Sequence, residues 1–409
     1  MNEAAAAGAI AADSEHRRNA LLLAAAAAVN GAIPSVLFTL GGLAGLHLLG
    51  PDKSLATLPL TGYTVGVALG AIPAAALMRA TGRRLGFMAG ALIGILAGIG
   101  SGAAVVAGSF PALVIAMAAA GFSGSFTQQY RFAAADGGDA AFRARAISWV
   151  LSGGIVASVL GPQTVIATRD LLAPIPFAGA FFASSGLALL GVIVLSFLTG
   201  AARSAPPETL HSGGRPLTEI ARQPRFVIAV ICAMGSYSLM TLVMTAGPLA
   251  MVGSGLGQDN AALGIQWHGL AMYGPSFFTG TLIARFGKEG IVALGLALLA
   301  GSAAVALAGI DVSHFWLAII LLGVGWNFAF IAATAMVTET YRPEEKARVQ
   351  GLNDFLVFGL VAFASFASGK LFGTVGWTWI NLAVFPVVLI CALALSTKLF
   401  GRRHPARQP

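Results

Sequence analysis

An all-α membrane protein, with twelve transmembrane helices in two six-helix bundles, is the fold class this sequence predicts, and three observations predict it. The 409 residues are 57% hydrophobic and 10% charged, with a mean hydropathy of +0.83, whereas a soluble globular domain carries about 25% charged residues. Apolar runs of roughly 20 residues, the length that crosses about 30 Å of hydrocarbon at 1.5 Å per residue, recur along the whole chain. The longest polar interruption falls near the middle and divides those runs six and six.

Residues 1–18 are Ala-rich and lack the order of a signal peptide, a basic segment followed by an apolar run and a cleavage site. They read as a short cytoplasmic tail, with the first helix retained. Six apolar runs follow, near 19–48, 54–78, 86–107, 110–135, 143–169 and 174–198, and make an N-terminal bundle over 19–199. Runs longer than the hydrocarbon is thick have to tilt or bend, and Pro34, Pro73 and Pro162 give places to do so. Residues 200–223 have the Pro, Gly, Ser and charge content of a cytoplasmic linker. Six further runs, near 224–252, 258–284, 290–309, 314–339, 348–373 and 377–399, make a C-terminal bundle over 224–399, with Pro275 a bend in the second of them. Residues 400–409 form a cytoplasmic tail.

Charge sets the orientation. With the N-terminus inside, twenty of the 24 Lys and Arg fall in cytoplasmic segments, and only Lys53 and Arg169 in outside loops. Positive charge marks the cytoplasmic side, so both termini are cytoplasmic and the chain is a multi-pass membrane protein. The net charge of +8 then records topology, and no nucleic-acid partner is implied. The two cysteines, Cys232 and Cys391, lie inside apolar helices, and two are too few for a disulfide framework.

The halves share a local repeat. Ala75-Ala-Leu77-Met-Arg79-Ala-Thr-Gly82-Arg83-Arg84 follows the second helix, and Gly280-Thr-Leu282-Ile-Ala284-Arg285-Phe-Gly287-Lys288 follows the eighth. Each is a tight basic loop in which Gly relieves backbone strain, and parallel duplication explains both. Twelve helices, a central linker and these two loops, similar to G-x-L-A-D-R-x-G-R-R, resemble the major facilitator superfamily over nearly the whole chain. Where that family's loop has Asp, this sequence has Arg79 and Ala284, so the usual charge pairing of the loops is not implied. The resemblance implies two bundles around a central cavity, opened alternately to either side about a site near the midplane.

Polar groups inside a membrane are costly and therefore informative. Arg131, Asp136, Asp354 and Lys370 all lie near helix ends, where they reach an interface by snorkelling or pairing, and read as structural or gating groups. Met240 and Met244 in LMTLVMT, and His268 and Met272 in HGLAM, form two i,i+4 pairs on consecutive antiparallel helices. With a turn centred near residue 256, Met244 and His268 are each twelve residues from it and Met240 and Met272 each sixteen. All four then lie near mid-membrane. Thioether and imidazole donors suit Cu(I) better than Mg²⁺, Ca²⁺ or Mn²⁺, although packing alone also accounts for Met in apolar cores.

The MxxxM and HxxxM pair resembles the signature of the CcoA-like copper importer branch of the superfamily. That resemblance implies a secondary-active copper importer with Met240, Met244, His268 and Met272 as ligands to a transported Cu(I). It further implies a supply of copper to biogenesis of cbb3-type cytochrome oxidase, through cytoplasmic or membrane copper carriers. Met251 and Cys232 are weaker candidates for passing metal along the helix, and His47 for its capture or for titration. No resident cofactor is expected. No G-x-x-x-x-G-K-[ST] loop is present, so an ion gradient is the expected energy source.

Two alternatives stand beside this reading. One is transport of riboflavin or another aromatic small molecule, since the nearest branch of the family contains riboflavin transporters. Its candidate contacts are Tyr63, Gln128, Gln129, Tyr130, Trp149, Trp326 and Asn327. The other is a membrane copper chaperone that binds metal without moving it. An enzyme is disfavoured, because no nucleophile, base and orienting group are recognisable together.

Overall fold

The computed structural model describes residues 2–50, 53–136, 139–199 and 214–401, which contain helices and no strand. The chain divides into two compact units. The first comprises Met1–Thr209 and Gln258–Tyr273. It is built from α1 (Asn2–Asn30), α2 (Ala32–Leu48), α3 (Leu58–Thr81), α4 (Arg83–Val106), α5 (Phe110–Thr127), α6 (Tyr130–Ala134), α7 (Ala140–Thr168) and α8 (Ala178–Ser196), together with α11 (Gln258–Tyr273). The second comprises Leu210–Gly257 and Gly274–Pro409. Its helices are α9 (Leu217–Ala221), α10 (Pro224–Gly253), α12 (Ser276–Phe286), α13 (Lys288–Ala308), α14 (Val312–Val337), α15 (Lys346–Leu382) and α16 (Val384–Gly401). Of the linker expected at 200–223, residues 200–213 lie outside the described residues, as do 402–409 of the C-terminal tail.

Among the described residues, ten helical stretches are long and apolar enough to cross a membrane. The runs expected at 258–284 and 377–399 are interrupted instead. The first breaks between Tyr273 and Ser276, where Pro275 has no N–H to continue the ladder. The second starts beyond Gly376, whose φ of 80° separates it from the preceding span inside α15, and is interrupted at Ala383, between the end of α15 and the start of α16. The N-terminal segment read as a tail is helical from Asn2 and runs straight into the first span.

The two units are built on one plan. In the first, α1 packs on α7, α4 on α8 and α4 on α5; in the second, α10 packs on α15, α13 on α16 and α13 on α14. The basic loops carry the same backbone. Gly82 (φ 86°, ψ 162°) and Gly287 (φ 79°, ψ 158°) each end one helix and begin the next, in a left-handed conformation that side chains resist. Each also caps the helix behind it, the Gly82 N–H donating to Met78 O and the Gly287 N–H to Ile283 O. The carboxylate missing from the loops comes from elsewhere. Arg83 pairs with Asp136 beyond α6, and Lys288 with Glu339 beyond α14.

The described end of the linker is held down by one carboxylate. Glu345 accepts from the Arg215 N–H (2.8 Å), Arg215 Nη2 (2.8 Å) and the Arg342 N–H (2.9 Å). Hydrogen bonding from the Arg215 side chain, with the Arg342 amide adding to it, holds the Glu345 carboxyl far below the usual carboxylate range. A depressed carboxylate stabilises the fold above its unfolded pKa of about 4.3, and that contribution is lost only as pH falls through the folded value. Amide exchange at Arg215 and Arg342, corrected for its intrinsic rate, should therefore stay slow from pH 7 to 5, and should become fast at both pH values in Glu345→Gln.

Candidate functional site

The four residues of the predicted copper clamp fall in different units. Met240 and Met244 are buried on α10 in the second, while His268, buried, and Met272, half-buried, belong to α11 in the first. Each unit thus supplies two of the four donors. Met251 is fully packed at 1% exposed, and the Cys232 thiol faces the Cys391 carbonyl at 3.8 Å on the neighbouring helix. Among the described residues, no three His, Cys, Asp or Glu side chains come together as a metal group.

The α10 face that carries Met240 and Met244 also carries Tyr237, three residues before Met240 and so about one turn away. Tyr237 is the hub of an aromatic cluster. Its ring lies edge-on to Trp326 (5.3 Å), Phe330 (5.0 Å) and Phe358 (5.7 Å), while Trp326 and Phe330 stack at 5.2 Å with an interplanar angle of 14°. Spacing explains the stacked pair, because residues i and i+4 of α14 share one face. These separations fit the edge and offset arrangements that ring quadrupoles prefer.

Asn327, next to Trp326, has a different task. It is fully buried, its Nδ2 donates to Ser276 Oγ (2.7 Å), and its Oδ1 accepts from Thr279 Oγ1 (2.6 Å). It secures the first turn of α12 just after the Pro275 break. Tyr130 is likewise structural, receiving a bond from Asn30 Nδ2 (2.9 Å) and packing edge-on against Phe87. Tyr63 is buried against Phe38, Trp149 packs on Phe142, and Gln128 is exposed with Gln129 half-buried. Arg131 lies over Phe132, Asp354 and Lys370 are exposed, and His47 is exposed beside Phe177. Sequence reasoning found Trp326 but missed Tyr237, Phe330 and Phe358, whose common signal is a mid-helix position on three different spans.

A cavity of about 130 Å³ opens in the first unit beside His16, Asn19, Arg83, Arg84, Phe87 and Asp136. That is smaller than the roughly 300–1,000 Å³ of small-molecule pockets. Burial pushes the Asp136 carboxyl up, and the pairing with Arg83 offsets this only in part. The pair bridges the basic loop to the end of α6, which makes this a structural joint.

The Major Facilitator Superfamily model matches residues 19–365 and 276–409. The riboflavin transporter RfnT of Brucella anthropi is 50% identical over 372 residues, covering 91% of this chain and 93% of the relative. The uncharacterized MFS-type transporter YddS of Bacillus subtilis is 30% identical over 353 residues, with 82% and 80% covered. The crystal structure of the nucleoside transporter NupG superposes with a TM-score of 0.70 at 14% identity, covering 95% of this chain and all of that one. These relationships overturn copper import. A chain half identical, over 91% of its length, to a protein named for riboflavin is not placed by short Met and His motifs in the copper-importing branch. The expected supply of copper to cytochrome oxidase and the copper carriers as partners fall with it. Helices, duplicated loops and relatives agree on the rest: this multi-pass membrane protein belongs to the major facilitator superfamily of transporters.

Proposed function

We propose that this chain carries riboflavin, or a closely related flat heteroaromatic molecule, across the cytoplasmic membrane as a secondary transporter. The 50% identity to a riboflavin transporter across 91% of the chain is the observation that carries the reading. The chemistry of the second unit supports it. A conjugated ring system is recognised by aromatic faces and a few placed polar groups; α10, α14 and α15 supply the rings within one cluster, and the Trp326 indole N–H is a buried polar group among them. The superfamily's alternating access then moves the cargo without ATP, in keeping with the missing phosphate loop.

Growth of a riboflavin auxotroph tests this. Cells producing the chain should take up labelled riboflavin and grow at concentrations that do not support the empty-vector control. Their copper content should match the control, and Met240→Leu with Met244→Leu should leave it unchanged. Equal riboflavin uptake with and without a well-expressed chain would reject the proposal.

A further inference from the structure

We propose that the aromatic cluster of the second unit is the stacking platform for the cargo's ring system, with the Trp326 indole N–H as its hydrogen-bond donor. This rests on the reading of the cargo as a flat heteroaromatic molecule. The cluster has the right height. Tyr237 and Trp326 stand within two residues of the midpoints of Pro224–Gly253 and Val312–Val337, and Phe358 within three of the midpoint between Lys346 and Gly376. Three helices thus present rings at their centres, where a transporter of this fold holds its cargo.

Exposure separates the cluster from ordinary core. Phe87, Phe126, Phe181 and Phe315 are at most 1% exposed, whereas Tyr237, Trp326, Phe330 and Phe358 are all only half-buried. Partial exposure leaves ring surface in the cluster that a ligand could cover. The polar atoms point the same way. Trp326 Nε1 is buried and has no hydrogen-bond partner among the described residues, while the neighbouring Asn327 amide is bonded at both ends. Buried donors are rarely left unmade, because each costs the free energy of its lost hydration. A ring carbonyl stacked beside the indole would satisfy it.

One face of α14 extends the match. Trp326, Phe330 and Thr334 follow at i, i+4 and i+8, and Thr334 Oγ1 is a second buried atom without a partner among the described residues. Eight residues of helix span about 12 Å. An aromatic strip that ends in a hydroxyl suits a tricyclic ring bearing a polyhydroxylated chain, as flavins are built. Met240, about one turn along α10 from Tyr237, gives its thioether a place at the platform's edge, since sulfur packs well against ring edges. The α10 methionines then serve an aromatic ligand.

The test is a fluorescence titration of the purified full chain in lipid nanodiscs, with riboflavin and with lumiflavin, which has the ring but no ribityl chain. Flavin emission is quenched when the ring stacks on indole or phenol. Wild-type protein should bind both and quench both. Trp326→Ala should weaken riboflavin binding about 10- to 100-fold and reduce the quenching of bound flavin to what Tyr237 supplies, given what a lost stacking partner costs. Trp326→Phe, which keeps a ring and so guards against misfolding, should weaken binding about tenfold with quenching from Tyr237 retained. Thr334→Val should weaken riboflavin and leave lumiflavin unchanged. If Trp326→Ala and Phe330→Leu, eluting as monodisperse protein, bind and quench as wild type does, the platform is wrong although the cargo stands. If wild type binds lumiflavin and not riboflavin, the cargo is wrong and the platform stands. If it binds neither, both fall.

Discussion

Gly66→Leu should yield no folded transporter, and Gly66→Ala should already lose about 3 kcal/mol of stability, at the upper end of what overpacking by a single methyl group costs. Gly62, Gly66 and Gly70 recur every four residues along one face of α3, against α5. A Cβ at 66 would overlap the Ala118 carbonyl, with the Phe122 amide nitrogen 3.0 Å away; at 62 it would meet Val114 O at 2.9 Å. From the other side, a Cβ on Gly121 would overlap the Tyr63 carbonyl. These obstacles are mostly backbone atoms, which cannot rotate aside, so the helices would have to separate along their length. Lipid gives helices no hydrophobic reason to associate, and small residues that allow close contact supply much of the attraction. Gly186 is the internal control, since it lies within α8 and a Cβ added there would meet nothing within 4 Å. Gly186→Ala should be neutral or slightly stabilising. Size-exclusion profiles and thermal unfolding of the three variants check the expectation.

Arg225→Ala should cost the second unit about 2–3 kcal/mol, less than the 3–5 kcal/mol of a fully buried pair because the cluster meets water at one side. The Arg225 guanidinium bridges two carboxylates, Glu289 at 2.7 Å and Glu339, while Lys288 pairs with Glu339 from the basic loop. Removing it leaves two acids facing a single ammonium, with Glu289 only 15% exposed. Arg225→Lys should recover only part of the loss, because an ammonium lacks the planar fork that spans both acids. Burial pushes the Glu339 carboxyl up, but hydrogen bonds from Lys288 and Arg225 outweigh it and leave it below the usual range. The sign follows from that depression: the contribution is complete above about pH 4.3 and is lost as pH falls through the folded value. The gap in unfolding temperature between wild type and Arg225→Ala should therefore be wide at pH 7 and narrow as the pH is lowered below 4.

Much of the architecture was legible because bilayer thickness forces long apolar runs, and because a tight turn between helices needs glycine. Gly82 and Gly287, recognised as a repeat from spacing, adopt matching left-handed backbones. Pro275 was identifiable as a bend and is where one run breaks. The loop carboxylates were illegible, since Asp136 and Glu339 come from more than 50 residues away in sequence, just beyond the ends of other helices. The expectation of copper import misled for a related reason. An i,i+4 spacing says that Met240 and Met244 share a face, but not what that face meets. Tyr237, about one turn earlier, meets rings on α14 and α15, a cluster that joins only through tertiary packing. Asn327, chosen as a flavin contact from its polarity and depth, spends its amide on the α12 break instead.

Riboflavin counterflow in proteoliposomes tests the central claim most directly. Vesicles preloaded with unlabelled riboflavin and containing the purified chain should transiently accumulate external labelled riboflavin far above protein-free vesicles, with Trp326→Ala strongly impaired and added Cu(I) without effect. Labelled riboflavin that equilibrates no faster than in protein-free vesicles, with a monodisperse and correctly inserted chain, would contradict it.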